Sequence, residues 1–114
     1  MDLPPSSLPP LPGARVAVGV LRVKLRVPGA RGLKDRRQVS HALRDRLRQR
    51  FDVAACLLEE NGPPTALQIA VSLVGSDPAH VERTLRQVRD AMTTHPSAIV
   101  VDVVAEVLAW PSTP

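Results

Sequence analysis

The chain has 114 residues, a net charge of +4, 44% hydrophobic residues and 23% charged residues, which is the composition of one soluble globular domain. Only Phe51 and Trp110 are aromatic, which argues against a stacking platform for single-stranded nucleic acid. The single cysteine, Cys56, excludes an internal disulfide and any multi-cysteine metal site. No signal-peptide pattern and no apolar stretch of about 20 residues occurs, so we expect a cytoplasmic protein.

The first 14 residues are predicted to form a disordered, proline-rich tail. A segment with so many prolines forms neither a helix nor a strand ladder, and it buries too little apolar surface to order itself. It could alternatively dock on an aromatic groove as an extended ligand. We therefore place one domain at residues 15–110 and a short C-terminal tail at 111–114. The prolines of the tail are Pro4, Pro5, Pro9, Pro10 and Pro12.

The first half of the domain is predicted to contain a strand, a helix and a second strand. Alternating hydrophobicity places the first strand at residues 15–27, and the second strand covers residues 53–58. Between them, a helix is expected from residue 35 to about 50, since apolar residues recur every four positions. The core-facing residues of this helix are Val39, Leu43 and Leu47.

The second half repeats this plan with different residues. A Gly-Pro-Pro turn precedes a third strand at residues 66–74. Either Ser76 or Asp77 can cap the second helix, Pro78 suits its first position, and Pro96 ends it. A last strand follows at residues 98–109. Two helices on one face of a four-stranded antiparallel sheet give an α+β, ferredoxin-like βαββαβ fold. The buried stripe of the second helix is Val81, Leu85, Val88 and Met92.

The outer face of the sheet carries charged residues that could pair with one another. If the first and last strands are antiparallel neighbours, cations of the first strand face carboxylates of the last, and each exposed pair contributes at most ~1 kcal/mol. The expected cross-strand pairs are Lys24–Val104, Arg22–Glu106 and Arg26–Asp102. Apolar residues expected on this face are Val18, Val20, Val100, Val104 and Leu108. An open apolar face suggests self-association.

The junction between the first strand and the first helix, residues 27–37, carries the strongest chemical signal. Pro28 cannot continue a strand ladder, and Gly29 opens backbone angles closed to other residues. Asp35 suits the positive end of the following helix. Four cations surround free N–H groups at this helix start, a combination that favours an anion. These cations are Arg31, Lys34, Arg36 and Arg37.

Positive charge is concentrated in the first helix. Residues 31–50 hold eight cations and two carboxylates, a local charge of +6 that leaves −2 for the rest of the chain. At about 100° per residue, one stripe of basic side chains runs opposite the apolar stripe. Such a stripe could follow a phosphate backbone, or it could simply be solvated. The apolar stripe is needed for the core, which argues against a membrane partner. The basic stripe contains Lys34, Arg37, His41, Arg44 and Arg48.

The run Leu21-Arg22-Val23 and the junction at residues 28–37 resemble the YlxP-like family of small bacterial proteins. Ser76-Asp77, His80-Val81 and Val101-Asp102-Val103 are similar to that family's second helix start and last strand. The resemblance covers roughly residues 15–108. It implies a ferredoxin-like fold and genes that often lie beside those for translation initiation and ribosome maturation. It implies no established activity.

Two positions depart from the family's pattern. Gly32 stands where relatives usually carry serine, which would form a capping box with Asp35. Glycine is a weaker cap, so we expect a looser helix start here. The sequence Pro63-Pro64-Thr65 replaces a Trp-Gln pair before the third strand, which puts in doubt any function placed in that loop.

The residues predict a non-catalytic accessory protein that binds RNA or ribosomal particles, with no metal and no cofactor. The predicted phosphate-binding residues are Arg31, Lys34, Arg36, Arg37, His41, Arg44 and Arg48. The alternative is a homo-oligomeric interaction module that uses the open sheet face. A further alternative is an acyl-phosphate hydrolase, because the turn at residues 28–31 lies where such ferredoxin-like enzymes bind phosphate. That alternative rests on analogy of fold alone.

Overall fold

The computed structural model describes residues 15–58 and 62–111, and it has the predicted βαββαβ order. Four strands form one antiparallel sheet in the spatial order β2-β3-β1-β4. The predicted ferredoxin-like α+β fold is confirmed. The proline-rich tail and most of the C-terminal tail lie outside the described residues. The elements are β1 (Val16–Arg26), α1 (Leu33–Arg50), β2 (Ala54–Leu58), β3 (Ala66–Gly75), α2 (Pro78–Thr93) and β4 (Ile99–Trp110).

One hydrophobic core lies between the sheet and the two helices. α1 packs on β2 and β3, whereas α2 packs on β1 and β4. The inward side chains of β1 alternate with exposed ones, as the sequence pattern predicts for a half-buried strand. All four apolar residues predicted for the stripe of α2 are buried, namely Val81, Leu85, Val88 and Met92. In α1, Leu43 and Leu47 are buried and Val39 packs against the core.

α2 approaches the sheet closely at Gly19 of β1. A Cβ atom built on Gly19 would lie 2.6 Å from Val81 Cγ1 and 3.0 Å from Leu85 Cδ1. The missing side chain of Gly19 is therefore the space into which α2 fits.

The pairing of β1 with β4 confirms the predicted neighbours but corrects their register. Lys24 pairs with Asp102, and Arg22 pairs with Val104, two residues away from the expected alignment. Neither of the predicted ion pairs, Arg22–Glu106 and Arg26–Asp102, is formed, because Arg26 faces Ile99 and Glu106 faces Val20. A shift of two residues keeps every side chain on its face, so alternation alone cannot distinguish the two registers.

A register shift in the β1–β4 ladder, between Lys24 and Leu25, also corrects one face assignment. Val100 pairs with Leu25 and packs against the core, whereas it was expected on the outer face. The extra residue, Val101, lies between Val100 and Asp102 and is half exposed. Such a β-bulge inverts the alternation on one side of it, which the regular period of two does not anticipate.

Within residues 15–58 and 62–111, no helix is both long and apolar enough to cross a membrane.

Candidate nucleic-acid interface

A short turn connects β1 to α1 and is fixed to the rest of the fold by backbone hydrogen bonds. Val27 N–H donates to the Thr65 carbonyl at 2.7 Å, which ties the turn to the segment before β3. Ala30 N–H donates to the Val27 carbonyl at 3.1 Å and closes the turn. Gly29 does not adopt the left-handed backbone conformation, and a Cβ there would meet no atom within 4 Å. The expectation that Gly29 uses backbone angles closed to other residues is therefore wrong.

The N-terminus of α1 lacks a side-chain cap. Gly32 is the N-cap residue, and its carbonyl accepts the first helical hydrogen bond, from Arg36 N–H at 3.2 Å. The helix begins at Leu33, two residues earlier than predicted, and Asp35 lies in its first turn as expected. The Asp35 carboxylate reaches back to accept from Arg31 N–H at 2.9 Å. No side chain therefore caps the N–H groups that follow Gly32.

Three of the predicted phosphate-binding cations make hydrogen bonds within the fold. Arg36 donates to the carbonyls of Pro63 and Ala66, at 3.5 and 3.4 Å. Arg48 donates to the Ala55 carbonyl of β2 at 2.6 Å. Arg44 forms an ion pair with its neighbour Asp45 at 3.1 Å. These contacts fix α1 to β2 and to the segment before β3, or neutralise charge locally.

The remaining four residues of the predicted set are exposed. In the part of the chain that the structure describes, the side chains of Arg31, Lys34, Arg37 and His41 form no ion pair and no hydrogen bond. Arg31 lies on the turn, and the other three follow one face of α1 away from the core. Arg31 and Lys34 therefore lie at the helix start, and Arg37 and His41 continue the same exposed helix face over the next two turns. We call Arg31, Lys34, Arg37 and His41 the basic cluster.

Arg36 could have been separated from this cluster on its spacing. It lies seven residues before the buried Leu43, which places it on the core-facing side of the helix. A count of the charges around a helix start does not show on which side of the helix each side chain lies. The partners of Arg44 and Arg48 cannot be predicted from the helix sequence in this way. The ion pair of Arg44 depends on a rotamer choice, and the hydrogen bond of Arg48 is a tertiary contact to β2.

A cavity of about 450 Å³ adjoins the basic cluster. Its lining includes Pro28 and Gly29, Asp35 of α1, and Pro96 and Ser97. The cavity brings the turn before α1 next to the turn after α2. Its mixed lining and its carboxylate give no basis for a specific small-molecule ligand.

His95 occupies the turn after α2, close to this cavity. Its Nδ1 accepts from Ser97 N–H at 3.1 Å, so the ring serves as a neutral acceptor. Burial lowers the pKa of His95 below its ordinary value of 6.5, and the positive charge of Arg46 lowers it further. A neutral acceptor with a lowered pKa is consistent with a structural role for His95 in holding the turn.

The chain belongs to a family whose function is unknown. A family model described as "Protein of unknown function (DUF503)" matches residues 18–105, which include most of β1, both helices and the basic cluster. Comparison with curated protein sequences finds no match. The family match therefore defines an uncharacterised α+β family, and the basic cluster must be interpreted from its own chemistry.

Proposed function

We propose that this protein is a non-catalytic accessory protein that binds structured RNA, as it occurs in ribosomal particles, through the basic cluster and the exposed face of α1. The observation that carries the proposal is the exposed basic cluster at the start of α1, where neither its side chains nor the helix N–H groups have a side-chain partner among the described residues. Phosphate is the ligand that such a group suits, because cationic side chains and free backbone N–H groups both stabilise its charge.

The length of the basic face favours a polymer over a single anion. Lys34 and His41 are seven residues apart, which is about 10 Å along a helix axis. Arg31 extends the surface on to the turn. A surface of this length can contact more than one phosphate of a folded RNA backbone, and contacts of this kind fix position without reading sequence. Aromatic residues for base stacking are scarce, which favours structured RNA over single strands.

The resemblance of residues 28–37 to YlxP-like proteins also supports RNA as the partner. That resemblance implies genes near those of translation initiation and ribosome maturation. We therefore place the proposed RNA contact at or near the ribosome, and we assign the chain to the YlxP-like group on the same motif.

The proposal is tested by titrating a structured RNA at several salt concentrations. Neutralised phosphates release counterions, so the affinity should fall steeply as salt rises. Replacing Arg31, Lys34 and Arg37 by glutamine should flatten that dependence, by between about 2 and 3 in the slope of log K against log salt. Arg36 is left unchanged in this variant, because its guanidinium binds backbone carbonyls. An affinity unchanged by the three substitutions would contradict the proposal.

A further inference from the structure

Among the described residues, the sheet ends in a long strand, β4, whose outer edge pairs with no other strand. β4 has 12 residues, and none of them is Lys, Arg or Pro. An edge strand displays a row of unpaired N–H and C=O groups, and natural proteins usually protect such edges with short strands, cations, prolines or bulges. The bulge in β4 lies near its start, at Val101. The ladder from Asp102 to Trp110 is regular, and the only charged residues of β4 are Asp102 and Glu106.

The other edge of the sheet is different. β2 has only five residues. Arg48 of α1 covers it by donating to the Ala55 carbonyl at 2.6 Å. The two edges therefore differ in both length and protection, and only β4 has the form of an interaction surface.

The side chains of β4 are unusually exposed on both faces of the sheet. No residue of the strand is buried, although α2 packs against it. On the outer face, Val104 is 50% exposed and Trp110 is 62% exposed. On the inner face, Ala105 is exposed and Val107 is only partly buried. Exposed apolar side chains along an open edge are typical of a strand that is completed by another strand.

We propose that the strand completing this sheet is β4 of a second copy of the chain, antiparallel to the first, with the two-fold axis at Ala105. An antiparallel self-pairing keeps inner side chains with inner ones only if the register shifts in steps of two. Two such registers lie near the middle of the strand, one centred on Val104 and one centred on Ala105.

Charge decides between these two registers. Centring on Val104 places Asp102 directly opposite Glu106 of the second copy, and it does so twice, which is destabilising. Centring on Ala105 places Val104 opposite Glu106 of the second copy and separates the carboxylates. The Ala105 register therefore has no directly opposite like charges, because its carboxylates are only diagonal neighbours at about 7–8 Å, and it pairs the regular part of the strand from residue 102 to residue 108.

The Ala105 register also gives Glu106 a cation. Within its own chain Glu106 faces Val20, and it has no ion pair among the described residues. Arg22 pairs with Val104 in the β1–β4 ladder. Across the dimer, Arg22 and Val104 of one copy and Glu106 of the second copy then lie in one row. At about 4.8 Å per strand, the outer two are about 10 Å apart, which extended Arg and Glu side chains span together.

This charge pattern identifies a second copy as the occupant. Both charges of β4 are carboxylates, Asp102 and Glu106, so RNA is repelled from this edge. The cation that would neutralise Glu106 is Arg22 of the same sequence. The resulting eight-stranded sheet keeps both α1 helices at its outer ends, because α1 packs on β2 and β3. The dimer and the proposed RNA binding are therefore independent of each other.

Disulfide trapping tests the register. In a Cys56→Ser background, Ala105→Cys should form a cross-linked dimer on mild oxidation, since directly opposite Cα atoms are about 4.5–5.5 Å apart. Val104→Cys is the matched control: in this register its two copies are diagonal, about 7–8 Å apart, and should cross-link much more slowly. Cross-linking at position 104 as fast as at 105, or at neither position, would overturn the proposal.

A charge exchange measured by sedimentation tests the ion pair. The full chain should sediment as a dimer, and Glu106→Arg should weaken its association at least about tenfold, because it faces Arg22 of the second copy. Adding Arg22→Glu should restore the dimer. Glu82→Arg on α2 makes the same charge change away from β4 and should have no effect. A monomer at up to about 0.1 mM, or no rescue by the double exchange, would overturn the proposal.

Discussion

The two helices of this protein differ most clearly at their first residues. The N-cap of α2 is Asp77, whose carboxylate accepts from Ala79 N–H at 3.0 Å, and Pro78 occupies the first turn of the helix. The N-cap of α1 is Gly32, which provides no side-chain oxygen. A capped start satisfies a helix internally, whereas an uncapped start leaves donors for solvent or a ligand.

The two helices also differ in their net charge and in how many of their charged residues form ion pairs. α2 carries three cations and two carboxylates, and Arg86 and Arg89 pair with Glu82 and Asp90 at 2.7 and 3.2 Å. α1 carries seven cations and two carboxylates, and only Arg44 has an ion pair within the described residues. α2 also buries five residues, against three for α1. The comparison teaches that α2 mainly stabilises the fold, while the exposed face of α1 keeps charge that the fold does not use.

The largest effect on stability is expected where α2 contacts the sheet. Gly19→Ala inserts a methyl group 2.6 Å from Val81 Cγ1, so α2 must move outward. We expect a loss of about 1–3 kcal/mol in the free energy of unfolding, measured by urea denaturation. Gly29→Ala in the turn before α1 is the control, since its methyl group meets no atom within 4 Å. Equal losses in the two variants would contradict this account of helix packing.

The cap of α2 should have the next largest effect. Asp77→Ala removes the acceptor for Ala79 N–H and should lower the free energy of unfolding by about 1 kcal/mol. Ser76→Ala is the matched control, because the sequence allows either residue as the cap and the structure selects Asp77. A larger loss from Ser76→Ala than from Asp77→Ala would show that the cap is misassigned.

At the start of α1, adding a cap should strengthen the fold and weaken the proposed RNA contact. Gly32→Ser suits the extended backbone of the N-cap and should raise the free energy of unfolding by a few tenths of a kcal/mol, roughly. The new hydroxyl also accepts a hydrogen bond from one of the N–H groups that we propose as phosphate donors. The two readouts are urea denaturation and RNA titration, and tighter RNA binding by this variant would count against a role for the free N–H groups.

The smallest effect concerns the turn after α2. The pKa of His95 is lowered in the fold, so the unfolded chain binds a proton more readily, and stability should fall as pH is lowered through and below 6.5. His95→Ala should remove this part of the pH dependence, measured as Tm between pH 7.5 and 5. If the pH dependence of Tm is unchanged in His95→Ala, it is caused by other groups.

Much of the fold is predictable because local signals agree with one another. The alternation along β1, the Asp77-Pro78 start of α2 and the apolar stripe of α2 each determine an element within one or two residues. Gly19 also carried a readable signal, since a glycine inside a strand indicates a close approach, although its partner Val81 is known only from the structure.

The β1–β4 register was not predictable in the same way. Exposed ion pairs of at most ~1 kcal/mol cannot determine an alignment, and the bulge at Val101 changes the pattern that alternation relies on. At the start of α1, the sequence shows a concentration of cations but not which of them form contacts elsewhere in the fold. That distinction depends on tertiary contacts such as those of Arg36 to Pro63 and Ala66.

The most direct test of the account removes the same number of positive charges from the start of α1 and from α2. One variant replaces Arg31, Lys34 and Arg37 by glutamine. The other replaces Arg83, Arg86 and Arg89 of α2 by glutamine, so both variants lose three positive charges. With a structured RNA titrated at several salt concentrations, only the first variant should lose affinity, by at least about tenfold, and only its salt dependence should become shallower by between about 2 and 3. Equal losses from the two variants would show that net charge, and not the basic cluster of α1, determines binding.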